Sequence, residues 1–126
     1  MRLVIENKME RNLEIYPSNE TGDLLWQLLN AGIDLGQEHE VEFSVIFKTE
    51  EQALGFGQLL LENNQKLSFT PYPASETHPW EITAYPAMPL SVQNLAGYSQ
   101  LLIDNASGFD GEFDGWYTPA QQVLSE

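Results

Sequence analysis

Residues 41–52 read VEFSVIFKTEEQ, and two local patterns meet within this stretch. The first eight residues alternate in character, which predicts a half-buried β-strand with Phe43 and Val45 on its buried side. Thr49 and Gln52 then have the spacing of a capping box, so a helix is predicted to begin directly after the strand. A strand that leads at once into a helix indicates a domain in which helices pack on a sheet.

Four further elements are predicted downstream. The capped helix extends to about residue 63, and KLSFTPY (66–72) and WEITAYP (80–86) have the composition and alternation of strands. A second helix begins after Ser91, which is placed as its N-cap, and ends at Gly108. The stretch GEFDGWYT completes the series as a last strand.

The order from residue 41 to residue 117 is therefore strand, helix, strand, strand, helix, strand. This is the split βαβ or ferredoxin-like order (β-α-β-β-α-β), an α+β fold with one antiparallel sheet and both helices on one face. Right-handed crossovers place the first and third strands in the centre and the fourth beside the first. We expect an N-terminal segment (1–40) with one helix at GDLLWQLLNAG, packed on or extending the domain, then the ferredoxin-like domain (41–117) and a loose tail (118–126).

The charge of the chain disfavours several classes of function. Nineteen Asp and Glu residues oppose five Lys and Arg residues, the formal net charge is −14, and neither Lys nor Arg follows Lys66. Nucleic-acid affinity comes largely from basic side chains, so we expect no direct nucleic-acid binding and instead a protein partner with a basic segment. The sequence has no cysteine and no apolar run near the ~20 residues of a membrane span, so we expect no membrane association and a cytoplasmic protein.

The acidic run GFDGEFDGWY (108–117) has two interpretations. Its carboxylates and Gly115 have the spacing of the first half of a calcium loop, but the twelfth position is Gln121, which cannot supply a bidentate carboxylate. We therefore favour a strand with one apolar and one acidic side. The inward residues would be Phe109, Phe113 and Tyr117. The outward residues would be Asp110, Glu112, Asp114 and Trp116.

No catalytic constellation accompanies these carboxylates. His39 and His78 lie in separate polar segments without the i, i+4 spacing of a helical zinc site. No nucleophile elbow, phosphate loop or dinucleotide motif occurs. We therefore predict a protein that is not an enzyme and that has neither a cofactor nor a metal site.

The open face of the predicted sheet is the candidate binding surface, because aromatic and acidic side chains alternate on it. An Arg-rich protein segment can stack on such aromatic rings and pair with the carboxylates. The predicted partner-binding residues are Trp116, Asp114, Glu112, Asp110, Tyr85, Tyr72, Glu81 and Glu42. The alternatives are stacking of RNA bases, burial of the face under the N-terminal segment, and pairing with a second subunit, so that the protein is a monomer or a homodimer.

Residues from about Leu24 to Tyr117 resemble a known family, the RraB-type regulators of ribonuclease E. The resemblance runs from LLWQLLNAGIDL through the TEEQA helix start to the last strand, whose acid-aromatic-Asp-Gly-Trp pattern is matched by Glu112, Phe113, Asp114, Gly115 and Trp116. It implies a non-catalytic ferredoxin-like domain that binds ribonuclease E, outside the catalytic part of the enzyme, and alters RNA degradation.

Two departures from the family pattern accompany this resemblance. The chain ends in TPAQQVLSE without a long acidic tail, and Tyr117 stands where these relatives have Gly. A protein-binding role therefore carries over more readily than the particular partner. The alternative to a ribonuclease regulator is a ferredoxin-like module that dimerises or senses a small molecule.

Overall fold

A computed structural model describes residues 10–125 of the protein, which have an α+β fold. The helices are α1 (Glu20–Asn30), α2 (Glu50–Glu62) and α3 (Val92–Ala106). The strands are β1 (Glu38–Glu40), β2 (Glu42–Phe47), β3 (Leu67–Pro71), β4 (Trp80–Ala84), β5 (Ala87–Pro89) and β6 (Glu112–Tyr117). Short 3-10 helices, Ser107–Phe109 and Pro119–Ser125, precede and follow β6. The predicted α+β class and the antiparallel sheet are confirmed.

The longer strands form one antiparallel sheet in the order β3-β4-β2-β6. The two central strands are thus β2 and β4, and β3 and β6 are the edges. β1 and β5 pair separately with each other. β1 precedes the predicted six-element order and β5 interrupts it between β4 and α3, so the observed order of elements differs from the predicted one. These two short strands were not predicted because three residues are too few to show an alternation.

The helices begin at residues whose side chains cap them. The backbone N–H of Gln52 donates to Thr49 Oγ1 at 3.1 Å, and the N–H of Thr49 donates to Gln52 Oε1 at 3.3 Å, which confirms the predicted capping box. Ser91 caps α3, as predicted, and Asn19 caps α1. Such a cap contributes about 1 kcal/mol. The caps therefore define where α2 begins after β2 and where α3 begins after β5.

The core lies between the helices and one side of the sheet. Most of the largest fully buried side chains come from β2, β4, α1, α2 and α3: Phe43, Phe47, Phe56, Leu25, Leu28, Ile82, Leu95 and Leu102. The helix α2 approaches its neighbours closely, since a Cβ added at Gly55 would lie 2.8 Å from the Phe109 ring. This approach explains why a helix tolerates a glycine that costs about 1 kcal/mol relative to alanine.

The strand β6 contains a β-bulge at Asp114. Gly115 lies opposite Ser44, whereas Phe113 lies opposite the next residue of β2, Val45, so that Asp114 is an extra residue on β6. Gly115 has φ 107°, a conformation that side-chain-bearing residues rarely adopt. The bulge therefore reverses the sides of the strand for every residue that follows it.

Because of the bulge, two side chains of β6 point to the side opposite to the one predicted. Trp116 lies opposite Phe43, a core residue, and packs against the core, although it was predicted to point outward. Tyr117 lies opposite Glu42 and is 40% exposed, although it was predicted to point inward. Both predictions were wrong because they assumed an uninterrupted alternation.

Residues 119–125 form a 3-10 helix where a loose tail was expected. Thr118, just before it, is 1% exposed, and its hydroxyl donates to the carbonyl of Glu40 at 2.8 Å. Ala120 packs against the core. These contacts hold the segment after β6 near β1 and the core.

Candidate partner-binding surface

The face of the sheet opposite the core, called the outer face below, carries most of the predicted site residues. Directly paired residues of neighbouring strands share a side, so the register identifies the members of this face. They are Glu42, Ser44 and Ile46 from β2, Ser68 and Thr70 from β3, Glu81 and Thr83 from β4, and Glu112, Gly115 and Tyr117 from β6. The side chains of Tyr72, Asp114 and Tyr85 join them, as described next.

The connection between β3 and β4 crosses the outer face. The hydroxyl of Tyr72 donates to Asp114 Oδ2 at 2.9 Å, and His78 Nε2 lies 3.5 Å from Glu112 Oε2. Both contacts reach β6 from the far side of β2 and therefore pass over that strand. Ile46, on the outer side of β2, is only 6% exposed. This end of the outer face is therefore covered, and the face is less open than predicted.

The contact between Tyr72 and Asp114 changes the proton affinity of the phenol. The hydrogen bond to Asp114 raises the pKa of Tyr72 above its ordinary value, and the negative charges of Asp114 and Glu81 act in the same direction. The phenolate form is disfavoured beside these carboxylates. Tyr72 is therefore held as a neutral hydrogen-bond donor to Asp114.

Tyr85 lies at the opposite end of the outer face and is engaged by neighbours within the chain. Its hydroxyl is 2.8 Å from Ser68 Oγ, and the ammonium of Lys66 lies 5.5 Å from the centroid of its ring. The same ammonium is 3.3 Å from Glu40 Oε2. The predicted outward orientation of Tyr85 is present, but its ring already has a cationic neighbour.

Asp110 does not belong to the outer face. It precedes β6 in a left-handed conformation, with φ 58°, and its Oδ2 lies 3.6 Å from Lys48 Nζ. The prediction that it lies on the strand was wrong because a 3-10 turn delays the start of β6 to Glu112. Asp110, Glu112 and Asp114 thus contact three different partners and do not converge as calcium ligands would.

A groove lies between α1 and the edge of β6 and adjoins the outer face at Asp114 and Gly115. It has a volume of about 480 Å³, and its lining includes Glu20, Thr21, Leu24, Asp114, Trp116 and Gln121. Trp116 is therefore part of this groove and not of the outer face. Sequence reasoning missed the groove because it depends on the bulge and on the position of α1; the lone glycine within the strand was the available signal.

Basic side chains are scarce around both surfaces. Within residues 10–125 each Lys or Arg lies near a carboxylate, in the pairs Arg11–Asp23, Lys48–Asp110 and Lys66–Glu40. In this part of the chain the remaining carboxylates of the two surfaces have no Lys or Arg partner. These carboxylates are Glu20, Glu42, Glu81, Glu112 and Asp114.

Other kinds of site find no support in the described residues. Between residues 10 and 125 no three His, Asp or Glu side chains are grouped as metal ligands would be. The two histidines lie apart, since His39 contacts the carbonyl of Asp34 at 2.7 Å while His78 lies on the outer face. None of the helices in the same range has the length and apolarity needed to cross a membrane.

Comparison with known proteins identifies the family. The family model described as "Regulator of ribonuclease activity B" matches residues 18–118, which include α1, the whole four-stranded sheet and the groove lining apart from Gln121. No curated protein matches the chain significantly. The family is defined by regulation of a ribonuclease and not by a reaction of its own. The resemblance in the sequence is thereby confirmed, and the chain belongs to the RraB family of regulators of ribonuclease activity.

Proposed function

We propose that the protein is a non-catalytic cytoplasmic regulator that binds a basic segment of ribonuclease E through its outer face. The observation that supports this most is the charge of that face. Glu42, Glu81, Glu112 and Asp114 lie there, and within residues 10–125 none of them is paired with Lys or Arg. A basic segment would be attracted at long range and would form charge-assisted hydrogen bonds on contact.

A ferredoxin-like arrangement of residues 41–117 would explain why this face is available outside the end that the connection between β3 and β4 covers. The order β3-β4-β2-β6 and the packing of α2 and α3 against the sheet support that arrangement, with α1, β1 and β5 as additions to it. Such a sheet is covered by helices on one face only. In this proposal the N-terminal segment (1–40) and the tail (118–126) support the domain, and the outer face meets the partner.

The same charge disfavours two alternatives. RNA phosphates would be repelled by the carboxylates of the outer face, so direct RNA binding is not part of the proposal. Pairing of two outer faces would bring like charges together, which costs binding energy. A monomer that binds a basic protein is the arrangement that the charge favours, and light scattering would measure its mass.

Binding of the full chain to the non-catalytic half of ribonuclease E tests the proposal by calorimetry. The double variant Glu81→Gln with Glu112→Gln keeps the shape of the face and removes two charges. We expect it to weaken binding about tenfold at low ionic strength. We also expect the wild-type affinity to fall as salt is added, because exposed charges are screened.

The matched control is Glu50→Gln with Glu51→Gln, which removes two charges from the first turn of α2, away from the outer face. Its affinity should stay within about threefold of wild type, since only long-range attraction is reduced. Equal losses in the two double variants would contradict a role for the outer face. Inhibition of RNA cleavage by ribonuclease E should follow the same ranking as binding.

A further inference from the structure

We propose that the groove between α1 and β6 receives an extended segment of a basic protein partner, which adds as a further strand along the edge of β6. This inference rests on the proposed function for the nature of the partner, but it assigns a second surface and a backbone mode of recognition. The negative charge of the outer face then attracts the basic partner, and the groove positions its extended segment.

One edge of β6 is unpaired in the described part of the chain. Among residues 10–125, β6 pairs with β2 and with no other strand. An edge strand presents N–H and C=O groups that an extended peptide can pair with, which is a common mode of peptide recognition. The opposite edge, β3, is less suited because it ends in Pro71, which has no N–H to donate.

The groove next to this edge has an apolar floor. Trp116 and Leu24 are half-buried, pack against the core and also line the groove. In an added strand every second side chain would point to the same side as Trp116. The volume of about 480 Å³ falls within the range of about 300–1,000 Å³ that is typical of ligand pockets. The groove can therefore take apolar side chains or aliphatic stems from the partner.

The charge of the groove lining is complementary to a basic segment. Glu20 and Asp114 line the groove, and its lining contains neither Lys nor Arg. Glu20 and Asp23 in the first turn of α1 offset the partial positive charge at the N-terminal end of that helix. Lysine and arginine side chains, whose stems are apolar and whose ends are charged, match an apolar floor with acidic walls.

The bulge limits which strands can bind. An extra residue at Asp114 interrupts the regular ladder, and bulges at sheet edges discourage indiscriminate pairing. A partner strand must therefore be short and must follow the local twist around Gly115. Only segments whose side chains also fit the groove can therefore pair with this edge.

Two variants of α1 test the inference against the non-catalytic half of ribonuclease E. Thr21→Arg places a long cationic side chain in the groove from α1, a helix that contributes no residue to the outer face, and Gln27→Arg places the same charge on an exposed part of the same helix. We expect Thr21→Arg to weaken binding about tenfold and Gln27→Arg to weaken it less than about threefold. Thermal unfolding of both variants checks that they remain folded.

Amide hydrogen exchange of the complex, measured by mass spectrometry, gives a second readout. Residues 112–117 should exchange more slowly in the complex, because an added strand occupies edge amides that a side-chain contact would leave exposed. Equal affinity of the two Arg variants and unchanged exchange of β6 would overturn the inference. If Glu81→Gln with Glu112→Gln still weakened binding in that case, the proposed function would stand. Absence of any wild-type binding would overturn both.

Discussion

The two strands that flank β2 differ in how they pair with it. β4 keeps one register from Phe43 opposite Ala84 to Phe47 opposite Trp80. β6 shifts its register by one residue at the bulge, between Ser44 and Val45 of β2. The apolar residues of β4 therefore lie on the side that simple alternation predicts, whereas the last residues of β6 lie on the opposite side.

This difference shows how one extra residue places the side chains of one strand on two surfaces. Without the bulge, Trp116 would join Glu112 on the outer face and Tyr117 would be buried. With it, Trp116 contributes to the core and to the groove, and Tyr117 lies on the outer face. A single acidic and aromatic strand thus serves two surfaces, one on a sheet face and one at a sheet edge.

The largest expected change in the free energy of unfolding is that of a Trp116 variant, compared with a variant of Tyr117, the other aromatic residue after the bulge. Trp116→Ala should lower the free energy of unfolding by about 2 kcal/mol, less than for a fully buried residue because Trp116 is half-buried. Tyr117→Ala should lower it by less than about 1 kcal/mol, because Tyr117 is 40% exposed. Urea unfolding of both variants measures the difference, and the opposite ranking would mean that β6 alternates without a bulge.

The sequence predicted the regular parts of the fold for identifiable reasons. Phe43, Val45 and Phe47 alternate with outward residues, and Thr49 with Gln52 forms a side-chain cap that depends only on local spacing. These features involve neighbours in the chain, so the sequence alone contains the information that they require.

The candidate site was predicted less well because it depends on distant contacts. The hydrogen bond of Tyr72 joins residues 42 positions apart, and its formation depends on the path of the connection between β3 and β4. Alternation also cannot show where a ladder gains a residue, so Trp116 was placed on the wrong side. Gly115 was the one local sign, since an isolated glycine within a strand often accompanies a bulge.

A second prediction tests the backbone of the bulge by changing Gly115 to Ala. A Cβ at this position would meet no atom within 4 Å, so any effect comes from the backbone, whose φ is 107°. We expect a loss of about 1–2 kcal/mol in the free energy of unfolding, because L residues avoid this region. Thermal or urea unfolding measures it.

The matched control for this substitution is Gly97→Ala within α3, where an added Cβ also meets nothing within 4 Å. A helical glycine replaced by alanine should gain about 0.5–1 kcal/mol, so the two glycine variants should change stability in opposite directions. A stability gain in both variants would contradict a bulge that requires glycine.

The smallest expected effect concerns the link that the bulge residue Asp114 makes across the outer face. Asp114→Asn keeps an acceptor for the Tyr72 hydroxyl but removes the negative charge, so the pKa of Tyr72 should fall toward its ordinary value. Titration followed by NMR of labelled tyrosine rings measures this pKa. Glu112→Gln, which removes a charge from the same strand without contacting Tyr72, should leave the pKa of Tyr72 unchanged.

The direction of the associated stability change follows from the raised pKa of Tyr72. The folded protein holds the phenol proton more tightly than the unfolded chain, so this contribution to stability is fully present below the unfolded pKa. It is lost as the pH rises through the folded pKa. As the pH rises through that alkaline range, the wild type should therefore lose more stability than Asp114→Asn. Near neutral pH, the stability of either protein should change little through this contribution. Parallel pH profiles for the two proteins would contradict a hydrogen bond that persists in solution between β6 and the far side of the sheet.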